Sequence, residues 1–129
     1  MIDASLPVVT DRMLADLLAT STPFTVAILR AGPRFAMPGP DRNDEVTSII
    51  WAHGKRNTAL HLAGFLPVVC PIADGSGVAG VGIFAVDEPA VSTILDADPA
   101  IEAGVLTYEL HPTRTFTVAA AQPSPRSDS

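Results

Sequence analysis

The eighteen residues from Leu95 to Pro112 constrain the fold more than any other stretch of the chain. Pro99 disfavours helical geometry at Asp98, so a helix carried by Val91, Ile94 and Leu95 has to stop near Ala97. Gly104 ends a second short turn, after which Leu106, Tyr108 and Leu110 alternate with Thr107, Glu109 and His111. A period of two predicts a half-buried last strand, apolar toward the helices and polar on its other face. Such a strand needs a sheet to join, and the preceding residues have to supply it.

They do so in order. Met13, Leu14, Leu17 and Leu18 fall at helical spacing behind Thr10 as N-cap, which predicts a short amphipathic helix packed on the main body or on a partner subunit. Phe24 to Arg30 is β-branched and apolar enough for a buried first strand at the sheet centre. Gly32, Pro33, Pro38, Gly39 and Pro40 then mark a long loop. From Asn43 to Ala63, the residues Val46, Ile49, Ile50, Leu60 and Ala63 lie along one stripe of the longest helix, with Asp41 or Asn43 as N-cap and Gly64 just past its end. Leu66 to Pro71 reads as a strand that its prolines confine to an edge. Asp74 to Gly77 is a hairpin turn, and Val78 to Val86 the returning strand. Gly80 and Gly82 share one face of it, which suits close approach of a ligand, a backbone or a subunit, or plain tight packing. Asp87 caps the next helix, with Pro89 in its first turn.

This order is βαββαβ-like with one element missing or shortened, and it predicts an α+β, ferredoxin-like antiparallel sheet with the helices on one face. The first strand is apolar on both sides, through Val26 and Ile28 on one and Ala27 and Leu29 on the other. A second subunit over the free face accounts for that, so a homodimer is expected. The organisation expected is a helical extension over 1–22, an α+β domain over 23–117 and a disordered Pro/Ser-rich tail over 118–129.

Charge and composition remove whole classes of function. A net charge of -6 with eight scattered Lys and Arg residues argues against nucleic acid as a partner. Nothing approaches the ~18 consecutive apolar residues of a membrane span, and the N-terminus lacks the basic region of a signal peptide, so no membrane and a cytoplasmic location are expected. Cys70 is the one cysteine, which excludes an internal disulfide and suits a reducing compartment; between apolar strand residues it reads as a buried small hydrophobe rather than a nucleophile.

His53 stands seven residues after Val46, on the buried stripe and away from Lys55 and Arg56. An imidazole among apolar neighbours needs a partner, and Asp98 is the candidate. A carboxylate that accepts from one ring nitrogen fixes the tautomer and leaves the other nitrogen for general acid–base chemistry. Each residue also has a plainer reading: Asp98 before Pro99 as a helix N-cap, His53 as a satisfied core histidine, His61 and His111 as surface or edge residues. The histidine spacings are unspecific for a metal, and no Gly-rich phosphate loop or HExxH pattern is present, so neither metal nor cofactor is expected. Arg30 and Arg34, with Arg42, flank or lie in the long loop, where they would hold an anionic small-molecule substrate or simply be solvated.

Two motifs carry a family likeness. One is His53 followed by Leu60, Leu62, Gly64 and Leu66; the other, more specific, is Asp98, Pro99, Ala103 and Gly104 before the last strand. From about Phe24 to Phe116 the chain resembles the YCII-related (YciI-like) family, small proteins of the dimeric α+β barrel type. The resemblance implies a His53–Asp98 pair in a pocket, and its members include a dehydrochlorinase acting on a chlorinated hydroxyquinol. The N-terminal helix, the loop at 31–42 and the tail depart from the family pattern, so the substrate is not carried over. The expectation is a small cofactor-free acid–base enzyme of lyase, dehydrochlorinase or isomerase type, acting on a small oxygenated, cyclic or aromatic metabolite. The alternative is a non-catalytic dimeric small-molecule-binding or accessory module.

Overall fold

A computed structural model of the protein describes residues 5–35 and 44–116. The far half of the long loop, the proposed N-caps Asp41 and Asn43, Arg42 and the tail lie outside the described residues. The elements are α1 (Asp11–Ala19), β1 (Thr22–Ala31), α2 (Asp44–Leu62), β2 (Val68–Pro71), β3 (Val78–Phe84), α3 (Glu88–Asp96), α4 (Pro99–Glu102) and β4 (Leu106–Thr115). Residues 23–114 form one compact unit; 1–22 and 115–129 group in a second. In the second, the Thr10 hydroxyl accepts from the Met13 N–H at 3.1 Å, as its N-cap role requires. Within the single chain, α1 buries none of its residues.

The larger unit carries a four-stranded antiparallel sheet in the order β2-β3-β1-β4, which with its helices is the ferredoxin-like arrangement. β1 is central, as its two apolar sides predicted. It pairs with β3 from Thr25↔Phe84 to Leu29↔Gly80, beyond which the register shifts. β4 runs back along its other edge, where the Gly32 N–H donates to the Val105 carbonyl at 2.8 Å. The prolines leave β2 at the outer edge, and it is shorter than expected: Leu66 precedes it and is a core residue.

The helices pack on one face. Ala27 and Phe84 of the sheet meet Leu66 and the Val91 and Leu95 stripe of α3, with Tyr108 and Leu110 of β4 against the same cluster. A second cluster joins Val46 of α2 to Ala100 of α4 and to Val105 and Leu106 at the start of β4. α2 ends in a Schellman turn: Gly64 adopts φ +88°, its N–H donates to the His61 carbonyl at 3.1 Å, and the Phe65 N–H reaches the Leu60 carbonyl at 3.0 Å. Ala63, placed on the buried stripe by its spacing, is exposed because this turn has already left the helix.

Strand alternation puts Val26, Ile28, Val81 and Ile83 on the opposite, helix-free face, where they are only half-buried. Pairing sets Val26 beside Ile83 and Ile28 beside Val81. Val68 and Cys70 of β2 extend the same rows, so Cys70 is exposed and the expectation of a buried thiol is corrected.

Candidate functional site

The site is built where α2 crosses the α3–α4 junction. Val46 anchors the start of α2 in the core, and two helical turns later the same stripe delivers His53, whose side chain is 12% exposed. α3 stops as Pro99 requires, and Asp98 takes an extended conformation, φ -74° and ψ 133°, with no exposed surface. Its two oxygens then divide the two roles that its sequence context left open. Oδ1 accepts from the Ala100 N–H at 2.8 Å and caps α4, while Oδ2 meets Nδ1 of His53 at 2.9 Å.

An ionised carboxylate only accepts, so Nδ1 carries the hydrogen and a neutral ring presents its lone pair at Nε2. Nε2 receives the side-chain amide of Asn57 at 3.2 Å, one helical turn further on. Arg56 closes the group from the other side, donating to the Ile94 carbonyl at 2.6 Å with its guanidinium 3.7 Å from Oδ2. Burial by itself pushes the Asp98 carboxyl up. The hydrogen bond and charge of His53, the Ala100 N–H and the Arg56 charge together outweigh it and hold the carboxyl below its ordinary 3.8.

A cleft of about 880 Å³ opens between α2 and the β2–β3 hairpin. His53, Asn57 and His61 face it from α2, and Gly80, Gly82 and Phe84 from β3; Asp98 does not line it and stands behind the His53 ring. The two glycines keep the floor low. A Cβ on Gly82 would come within 3.0 Å of Leu66 Cδ1, and one on Gly80 within 3.2 Å of the Cys70 carbonyl. Trp51, 67% exposed, lies on the same lining.

The arginines are elsewhere. Arg30 lies on the helix-free face, where its Nε donates to Oε1 of Glu109 at 2.9 Å, and Oε2 of the same carboxylate meets Nε2 of His111 at 2.8 Å. Arg34 is a tie for its loop, donating to the Ala103 carbonyl at 2.9 Å and reaching Glu45 at 3.3 Å. Neither lines the cleft, so the expected substrate-binding role of Arg30 and Arg34 has no support at this site.

His61, read from the sequence as a surface or edge residue, is exposed and lines the cleft; Asn57 and Trp51 were missed, although 53, 57 and 61 recur at intervals of four, which is the signal for side chains on neighbouring turns of one helix. Among the described residues no group of three His, Cys, Asp or Glu side chains is arranged to hold a metal, and no helix is long and apolar enough to cross a membrane.

No protein-family model matches the chain, and no curated protein does. A solved structure described as the crystal structure of methylated RPA0582 protein is similar at 12% identity over 89% of this chain and 96% of that one, with a TM-score of 0.35.

Proposed function

We propose that the protein is an acid–base enzyme in which His53 moves a proton on a small oxygenated substrate and Asp98 orients the ring, and that it belongs with the YCII-related proteins. One observation carries the reading: a fully buried carboxylate holds Nδ1 of a histidine at 2.9 Å while the same ring faces a cleft. Nε2 takes a proton from the substrate, the imidazolium that forms is stabilised by Asp98, and the proton is returned to another carbon or to a leaving group. Isomerisation and elimination are the two outcomes of that sequence. This chemistry calls on no cofactor. The amide of Asn57 moves aside when substrate reaches Nε2, so it is a gate on the base.

His53→Gln should lower turnover by roughly a hundredfold to ten-thousandfold in a screen of small lactones, enones and chlorinated phenols, with the far-ultraviolet circular dichroism unchanged. Wild-type turnover in the folded variant would remove the proposal. The competing reading, a non-catalytic binding module, draws on Oδ1 of Asp98 capping α4 and on Asn57 filling Nε2. It predicts ligands bound and released unchanged.

The half-buried apolar face of Val26, Ile28, Val81 and Ile83 supports a homodimer closed sheet to sheet, in the manner of a dimeric α+β barrel. Cys70 as the one cysteine of the chain is in keeping with a reducing, cytoplasmic setting.

A further inference from the structure

The cleft holds a second imidazole that the proton-transfer reading does not use. His61 Nδ1 lies 2.8 Å from the Leu66 carbonyl. A carbonyl only accepts, so Nδ1 carries the hydrogen, and the neutral ring offers Nε2 as an acceptor. His53 is fixed in the same tautomer by Asp98. Two rings on one helix, eight residues and about 12 Å of helix rise apart, are thus both held with Nε2 as the acceptor, and both line the same cleft. Between them stands Asn57, and Trp51 lies on the lining half a turn before His53. Much of the remaining lining is apolar, from Leu29, Val69 and Phe84 among others, and the acidic charge on it is Asp74 of the β2–β3 turn. Once the Asn57 amide is drawn aside from Nε2 of His53, two ring acceptors with a nearby carboxylate disfavour an anion and suit a ligand that donates hydrogen bonds.

We infer that the cleft takes an uncharged, flat, apolar molecule of about two rings with a hydroxyl at each end, one donated to Nε2 of His53 and the other to Nε2 of His61, and its ring surface over the apolar lining of Leu29, Val69 and Phe84. This deepens the acid–base reading, on which it rests for the reacting end at His53. His61 is then a binding residue that sets how far the second hydroxyl stands from the base. A single-ring substrate satisfies one end only, whereas an anionic substrate meets Asp74.

The test is calorimetric titration of the full chain with 2,6-dihydroxynaphthalene, 2-naphthol, 2,6-dimethoxynaphthalene and naphthalene-2,6-dicarboxylate. The diol should bind at least tenfold more tightly than the dimethoxy compound or the dicarboxylate. In His61→Phe the diol should fall to the affinity of 2-naphthol, with 2-naphthol itself unchanged. If that variant does not fold, the ranking of the four compounds on the wild type decides. The inference is overturned if the diol does not bind at its solubility limit, if the dimethoxy compound or the dicarboxylate equals it, or if a folded His61→Phe chain binds it as the wild type does. Two-ended binding of the diol in a protein that turns over nothing would sink the enzyme reading and leave this one standing. Turnover that His61→Phe leaves untouched does the reverse.

Discussion

Asp98 is asked for two acceptors at once, and that makes its isosteric replacement informative. Asparagine has one acceptor and one donor; the Ala100 N–H claims the acceptor, which leaves the amide NH2 against Nδ1 of His53. The ring must then turn over to the other tautomer, with the hydrogen on Nε2, and the base is lost. Asp98→Asn should therefore change stability by less than about 1 kcal/mol, since Asn caps nearly as well as Asp, yet lower turnover about as much as His53→Gln. Asp98→Ala should cost the cap, about 1 kcal/mol, and leave His53 short of a partner, about 1–3 kcal/mol more. Because the Asp98 carboxyl titrates below its unfolded value near 3.8, its ionised form stabilises the fold in full above that value, and the contribution is lost as pH falls through the lower, folded value. Urea titrations from pH 6 to pH 2.5 should show the gap between wild type and Asp98→Asn shrinking below about pH 4. Gly32 offers a control far from chemistry: a Cβ there would sit 2.5 Å from the Gly104 carbonyl, a backbone atom that cannot step aside. Gly32→Ala should lower the urea midpoint by the equivalent of about 1–3 kcal/mol, the range of overpacking.

At the scale of elements, what the sequence made legible was periodicity, and what it hid was parity. His53 lies on the buried stripe of α2 because its seven-residue offset from Val46 is two turns of any α-helix, and Asp98 stops α3 because Pro99 acts on its immediate neighbour. Both are local rules that survive folding. β1 is apolar at Val26 and Ile28 as well as at Ala27 and Leu29, so no pattern says which set looks toward the helices. Ala27 and Leu29 do, and Arg30, in step with Ile28, is carried to the far face and to Glu109. Cys70 is exposed for the same reason, being in step with Val68 rather than Val69. The cleft was half legible: Gly80 and Gly82 announced a close approach by a ligand, a backbone, a subunit or plain packing, and what approaches is the Leu66 side chain at Gly82 and the Cys70 carbonyl at Gly80, where both glycines line the cleft. Gly82→Val should narrow the cleft while the Leu66 side chain shifts to admit the new atoms. The expected result is a folded protein whose affinity for 2,6-dihydroxynaphthalene falls at least tenfold, read by the same calorimetry; unchanged affinity would move the ligand elsewhere.

For the whole molecule, the helix-free face of the sheet decides the assembly. A single charge in its middle, Ile83→Glu, should convert the expected dimer to a monomer in sedimentation velocity at matched concentration, and a wild-type monomer would place that face in water. The glutamate stands on the opposite side of the sheet from Gly80 and Gly82, so ligand affinity in the monomer reports whether the cleft depends on the second subunit. The hydrogen bond between α2 and the head of α4 joins residues 45 positions apart, and its acid end has a structural duty that its base end lacks. Descendants of this protein are therefore free to abandon chemistry in one direction only. A lineage under no catalytic selection can exchange His53 for a residue that still donates to the buried Oδ2 of Asp98, such as Gln, whereas losing Asp98 also unpins α4. Across related chains the aspartate should outlast the reaction, and the residue at position 53 is the one that separates working copies from retired ones.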